Sequence, residues 1–97
     1  MRARRKDANH ADVLDFLRAE GWSVLDLAKY GAPCDAVVGR PGIAVIVEVK
    51  DGAKPPSARK LTAEGQKLWD SFEGPKIIAT SPEDAAAKLL ALTERSF

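Results

Sequence analysis

The stretch GIAVIVEVK, residues 42–50, decides the fold of this chain. Its apolar, β-branched residues predict a buried strand, and the strand ends in two charges, Glu48 and Lys50, two positions apart. Because side chains alternate along a strand, Glu48 and Lys50 lie on one face. A strand ending in a glutamate and a lysine is also common where a sheet meets solvent, so the pair alone indicates only a strand end.

A second acid lies on the segment before this strand. The short apolar stretch 34–38 carries Asp35, and residues 40–42 contain the proline and glycine of a tight reversal. Hairpin pairing then brings Asp35 close to Glu48. A carboxylate inside an apolar run is costly to bury without a cation or another partner. Two carboxylates can share one divalent cation, and their hard oxygen ligands favour Mg²⁺ or Mn²⁺.

The rest of the chain predicts an α/β fold with the element order αβββαβα, in which helices flank a central mixed sheet and the acids stand at one edge of it. Capping signals and hydrophobic spacing give the boundaries. The predicted elements are a helix capped by Asp7 or Asn9, with His10, Val13, Leu14 and Leu17 in helical spacing and an end at Gly21; a strand from Trp22 to Leu27; a helix from Thr62 to about Phe72; a strand from Lys76 to Thr80; and a helix that starts at Ser81-Pro82-Glu83-Asp84 and runs to about Leu92. Gly65 lowers the helix propensity of the second helix.

Length and composition indicate one small domain, residues 1–97. Its basic N-terminal segment, residues 1–8, is compatible with a flexible conformation. The chain has 97 residues and is 45% hydrophobic, so its core is modest. One cysteine, Cys34, rules out an internal disulfide and favours a reducing compartment; we expect it to face away from Asp35. Since neither a membrane span nor a secretion signal is apparent, we expect a cytoplasmic protein.

The charge is small overall but unevenly distributed. Formal net charge is +1 at pH 7. Cations gather at the start of the chain and in the segment 51–60 after the acidic strand, whose glycine and prolines predict a loop. Such clusters serve solubility, or they contact phosphates when a metal site is near. The candidate DNA-binding residues are Arg2, Arg4, Arg5, Lys6, Lys54, Arg59 and Lys60.

The order of these motifs resembles the PD-(D/E)xK nuclease superfamily. The chain is most similar to small stand-alone VRR-NUC proteins of the phage type and, more distantly, to Holliday-junction resolvases. The resemblance spans Asn9 to about Leu90 and depends on the order and spacing of PCDAVV (33–38), IVEVK (46–50) and the segment from Leu61 to Gln66. Two departures stand out: Pro33 is one residue farther from the aspartate than in the family, and His10 stands where resolvase-like members have a glutamate.

The resemblance implies a restriction-endonuclease-like core and specific roles for its residues. Asp35, Glu48 and the Val49 carbonyl would bind Mg²⁺ or Mn²⁺, while Lys50 would orient water or neutralise the scissile phosphate. Gln66 would hydrogen-bond the water or the DNA, although a glutamine on an amphipathic helix is more often simply an exposed surface residue. His10 would be an auxiliary ligand or contact a bound water, whereas a lone histidine in a first helical turn is more often a surface residue. Trp69 is expected to pack its helix onto the sheet.

The expected function is therefore a Mg²⁺-dependent, structure-selective DNA endonuclease that acts on branched DNA or Holliday junctions as a homodimer. A dimer would present two sites to two strands. Two alternatives remain open from the sequence. One is a nuclease or nickase of the same fold without selectivity for branched DNA. The other is a catalytically inactive DNA-binding module, which the histidine at position 10 keeps in consideration.

Overall fold

The computed structural model describes residues 9–52 and 61–95, and these form a mixed α/β structure. Its elements are α1 (His10–Ala19), β1 (Ser23–Asp26), a short 3₁₀ helix (Ala28–Tyr30), β2 (Ala36–Arg40), β3 (Ile43–Val49), α2 (Ala63–Ser71), β4 (Lys76–Ala79) and α3 (Pro82–Arg95). The predicted order αβββαβα is confirmed, with the 3₁₀ helix as an addition. The basic segment 1–8 and most of the predicted loop 51–60 lie outside the described residues.

The four strands form one mixed sheet in the order β1-β2-β3-β4. β1 and β3 run antiparallel to β2, whereas β4 runs parallel to β3. A two-residue turn joins β2 to β3, with Arg40 paired to Ile43 and Gly42 at φ 87°. Proline followed by a glycine with positive φ satisfies the backbone that this turn requires. The register then pairs Ala36 with Val47, which sets Asp35 opposite Glu48 at the end of the hairpin.

The core lies between one face of the sheet and the helices α1 and α3. The residues of α1 that are buried are the four that share the predicted helical spacing, His10, Val13, Leu14 and Leu17. Of these, Val13, Leu14 and Leu17 pack with alternate residues of β3 and with Leu89 of α3 in one hydrophobic cluster. The alternation that buries Val45, Val47 and Val49 against α1 and α3 directs Ile46 and Glu48 to the opposite face.

Helix α2 lies near β4. Its Trp69 lines a cavity of about 340 Å³ together with Ile78 of β4 and Ala91 of α3. Thr62 caps the helix as predicted, because its hydroxyl accepts a hydrogen bond from the Gly65 amide at 3.0 Å. Gly65 has a packing role, since it is buried and a Cβ there would lie 3.1 Å from the Pro33 carbonyl oxygen.

The start of α1 differs from the expected helix cap. Asn9 occupies the cap position, but its side chain makes no capping hydrogen bond, and Asp7 lies outside the described residues. Its backbone (φ −92°, ψ 7°) departs from the extended conformation that side-chain capping requires. The Asn9 amide instead donates to the Lys50 carbonyl (3.2 Å) and the Thr80 carbonyl (2.8 Å). Asn9 therefore ties α1 to the ends of β3 and β4.

Helix α3 begins with the predicted capping residues. The Ser81 hydroxyl accepts from the Asp84 amide at 3.0 Å, and the Asp84 carboxylate accepts from the Thr80 amide at 3.0 Å. Partial burial alone would raise the pKa of Asp84, but hydrogen bonds from the Thr80 amide and the Lys88 ammonium outweigh it and lower this pKa below its ordinary value. Pro82 fills the first helical position, where a missing N–H costs nothing.

Replacing Ser81 with alanine is expected to lower the free energy of unfolding by about 1 kcal/mol, because an N-terminal amide of α3 loses its acceptor. Chemical denaturation of the variant and the parent protein measures the difference. Ser71→Ala is the matched control, since Ser71 is exposed and its hydroxyl donates to the Leu68 carbonyl at the other end of a helix. Equal stability of Ser81→Ala and the parent protein would contradict the capping role.

Candidate active site

The end of the β2–β3 hairpin brings Asp35 and Glu48 into direct contact. The Asp35 amide donates to Glu48 Oε1 at 3.2 Å, and the Val49 amide donates to Asp35 Oδ2 at 2.7 Å. Each carboxylate is therefore held by a backbone N–H of the other segment. β2 begins at Ala36, so Asp35 directly precedes the strand on which the sequence placed it. Its carbonyl accepts from the Leu27 and Ala28 amides at 2.9 and 3.1 Å, which replaces regular strand pairing there.

Both acids and Lys50 are buried, which excludes the simple solvated strand end. The exposed fractions of Asp35, Glu48 and Lys50 are 3%, 2% and 7%. β2 and β3 are the inner strands of the sheet. The acids that were predicted at one edge of the sheet therefore lie where these strands begin and end, and not on an outer strand. Two ionised carboxylates in one buried place repel each other, and a nearby positive charge offsets that repulsion. The burial therefore makes this location suitable for a cation.

Lys50 directly follows β3 and has a fixed backbone. Its amide donates to the Ala79 carbonyl at 2.9 Å, and its carbonyl accepts the Asn9 side-chain amide. These contacts hold the backbone at Lys50 independently of its side chain. Since residues two apart on a strand share a face, the Lys50 side chain starts on the same side of the sheet as Glu48.

His10 is buried at the start of α1, in contrast to the surface position that is common for a lone histidine. Its Nε2 donates to Asp26 Oδ1 at 3.1 Å, and its Nδ1 lies 3.9 Å from Asp35 Oδ1. Nδ1 is buried and has no hydrogen-bond partner among the described residues. The helix therefore presents a ring nitrogen to the carboxylate of Asp35.

Asp26 is a residue of this site that the sequence reasoning missed. It ends β1, and its register partner is Ala36, the residue after Asp35. Strand alternation places it on the same face as Val24, which packs against the core below α1. That alternation was the available signal, because it directs a carboxylate toward the helix that carries His10.

The remaining residues that the sequence singled out lie on α2, directly before Asp35, or outside the described residues. Gln66 is exposed on α2, and its amide donates to Asp70 Oδ1 at 2.8 Å, so its catalytic role stays a prediction. Cys34 is buried beside Asp35 in the sequence, before β2 begins. Trp69 lies half-buried between α2 and β4, as expected of a packing residue. The cations proposed to bind DNA, Arg2, Arg4, Arg5, Lys6, Lys54, Arg59 and Lys60, fall outside the described residues.

A divalent cation at Asp35 and Glu48 would need ligands besides side chains. Within residues 9–52 and 61–95, no three His, Cys, Asp or Glu side chains form a group that could hold a metal ion. The Val49 amide points to Asp35, and the N–H and C=O of one strand residue point to the same side, so the Val49 carbonyl is directed there too. Mg²⁺ commonly takes one or two carboxylates and completes its shell with water and phosphate oxygens. The donor set fits that mode.

Comparisons with known protein families, characterised proteins and solved structures found no match to this chain. Among the helices described, none has both the length and the apolar character needed to cross a membrane. The functional assignment therefore depends on the geometry of the chain's own residues.

Proposed function

We propose that this protein is a Mg²⁺- or Mn²⁺-dependent endonuclease with a restriction-endonuclease-like core, and that branched DNA is its preferred substrate. The observation that carries the proposal is the buried contact between Asp35 and Glu48, with Lys50 at the same end of the hairpin. Burying two acids and a lysine in so small a domain is unfavourable unless the site uses them. Buried charges of this kind support a functional site.

The residues divide the work of phosphodiester hydrolysis. The cation would be held by Asp35, Glu48 and the Val49 carbonyl. Hydrogen bonds from backbone N–H groups orient the two carboxylates. A bound divalent cation would supply Lewis-acid activation of the attacking water and offset charge in the transition state. Lys50 would neutralise the scissile phosphate as a compact point charge or orient the water. His10, with Nδ1 near Asp35, would contact a water bound to the cation.

Substrate preference is proposed from charge. Two clusters of cations in the sequence are suited to contacts with phosphates, so we propose recognition through phosphates and DNA shape. The cations at 2–6 and 54–60 would make these contacts. A two-fold dimer would present two sites to two strands of a junction. The inactive-module alternative depended on the missing helix glutamate, and the position of His10 beside Asp35 weakens that reason.

Purified protein incubated with labelled linear, flap and four-way DNA is expected to cut the four-way junction best, and only when Mg²⁺ or Mn²⁺ is present. The same preparation should scatter light as a particle of about twice the 10.4 kDa chain mass. Binding without cleavage at any metal concentration would favour the inactive DNA-binding module. Equal cutting of linear and branched DNA by a monomer would discard junction selectivity and retain the nuclease.

A further inference from the structure

We propose that Asn9 is a positioning residue of this site, which holds the backbone on the C-terminal side of Lys50 and thereby fixes the direction in which the Lys50 side chain leaves the sheet. The catalytic value of that direction rests on the proposed function, in which Lys50 acts on the scissile phosphate or on the attacking water. The hydrogen bonds by which Asn9 holds Lys50 can be measured without DNA.

The Asn9 side chain joins the ends of two neighbouring strands. Its amide donates to the Lys50 carbonyl at 3.2 Å, directly after β3, and to the Thr80 carbonyl at 2.8 Å, directly after β4. A side-chain amide has two N–H donors, which is one for each carbonyl. The chain after Lys50 also passes close to Thr80, because a Cβ at Gly52 would lie 3.1 Å from the Thr80 Cβ. Asn9 therefore holds the chain at the point where it leaves the sheet.

The direction of the Lys50 side chain depends on the two peptide planes that flank its Cα, since only the two dihedral angles between these planes are soft. The plane before Lys50 is held by its amide, which donates to the Ala79 carbonyl at 2.9 Å. The plane after Lys50 carries the carbonyl that accepts from Asn9. Without Asn9, this second plane loses that donor, and the side chain loses one of the two contacts that fix its direction.

Asn9 does not use the atom with which an asparagine caps a helix. Capping requires the side-chain oxygen, but Asn9 makes no capping hydrogen bond, and its Oδ1 is buried without a hydrogen-bond partner among the described residues. Burying an unpaired acceptor costs about 1–3 kcal/mol. Turning the amide around would place Oδ1 against two carbonyl oxygens, so the two donated hydrogen bonds fix its orientation. The role of Asn9 therefore lies in its donors.

The sequence contains a single asparagine, so ¹⁵N-asparagine labelling reports on Asn9 alone. In the metal-free full chain, both protons of the Asn9 side-chain amide should exchange with solvent more slowly than those of an exposed amide, because both are donated to carbonyls. The carbonyl ¹³C signals of Lys50 and Thr80 should shift when Asn9 is replaced by aspartate.

Asn9→Asp separates the two roles of this residue, since aspartate caps helices as well as asparagine but has no N–H to donate. We expect it to lower the single-turnover rate of DNA cleavage about 10- to 100-fold, the order of loss that a misplacement of about 1 Å can cause. Asn9→Ala removes the same donors without adding a charge and should lose a similar factor, with DNA affinity near the parent value.

Two further variants show whether Asn9 acts through Lys50. In a protein that already carries Lys50→Ala, Asn9→Ala should lower the rate hardly any further, because both changes remove the same contribution. Val24→Ala is the matched control for a general loss of stability. It weakens core packing on the outer strand β1, away from the ends of β3 and β4, and should leave the rate near the parent value.

Asn9 side-chain protons that exchange as fast as those of an exposed amide would overturn the role of Asn9 without any variant. Parent-like cleavage by Asn9→Ala would overturn it too, and either result leaves the nuclease standing. If Asn9→Ala loses its full factor even beside Lys50→Ala, Asn9 supports the fold and does not act through Lys50. A parent protein that cuts no DNA overturns the proposed function and with it the catalytic role of Asn9, whereas the labelling still decides whether Asn9 holds the backbone at Lys50.

Discussion

Replacing Lys50 with alanine is expected to lower the rate of DNA cleavage about 100- to 1,000-fold while changing DNA affinity less than tenfold. Removing one charge that acts mainly on the transition state costs a factor of this size, whereas affinity depends on many phosphate contacts of which Lys50 is one. The fold should tolerate the change, because the contacts that hold residue 50 are made by its backbone. Single-turnover kinetics and equilibrium binding measure the two quantities separately.

Two comparisons give this prediction its contrast. Lys67→Ala removes a lysine that is exposed on α2 and should leave both rate and affinity near the parent values. Removing Arg2, Arg4, Arg5 and Lys6 together should weaken DNA binding and reduce its salt dependence, with a smaller effect on the rate of bound substrate. If Lys50→Ala instead loses affinity and rate in equal measure, Lys50 belongs to a general basic surface and has no role in the chemistry.

The hairpin could be predicted from sequence because its signals are local. The β-branched run before Glu48, the alternation of its side chains and the Pro41-Gly42 reversal all act within about ten residues. Together they predict a register in which Asp35 faces Glu48, and the observed pairing of β2 with β3 has this register. A one-residue slip would have directed the two acids to opposite faces and turned Ala36 and Val38 away from the core.

The positions that the sequence misjudged depend on contacts between distant segments. His10 follows the spacing of the buried residues of α1, but burying its polar ring would be unfavourable without the hydrogen bond to Asp26, which lies on another segment. Asn9 has a capping side chain by type, yet two carbonyls at the ends of β3 and β4 compete for it. Local rules are weakest where tertiary contacts offer a residue another partner.

Replacing Glu48 with glutamine is expected to abolish cleavage and to change thermal stability in opposite directions with and without metal. The glutamine oxygen can still accept the Asp35 amide that Glu48 Oε1 now accepts, so the hairpin should keep its geometry. Without metal the variant loses a like-charge repulsion from Asp35, and its melting temperature should equal or exceed that of the parent protein.

With saturating Mn²⁺ the order should reverse. Metal at 100 times its dissociation constant stabilises the parent protein by about 2.7 kcal/mol. The variant has lost a direct ligand, so its affinity for Mn²⁺ should fall by more than the about 10- to 100-fold that is typical when a hydrogen-bond partner of a ligand is lost. Scanning calorimetry of both proteins with Mn²⁺ and with chelator measures this reversal. Glu64→Gln, an exposed site on α2, should respond to Mn²⁺ like the parent. If Glu48 is purely structural, the variant should be less stable than the parent protein both with Mn²⁺ and with chelator. A reversal requires a cation shared by Asp35 and Glu48, because the second buried carboxylate then stabilises the protein when the metal is bound and destabilises it when the metal is absent.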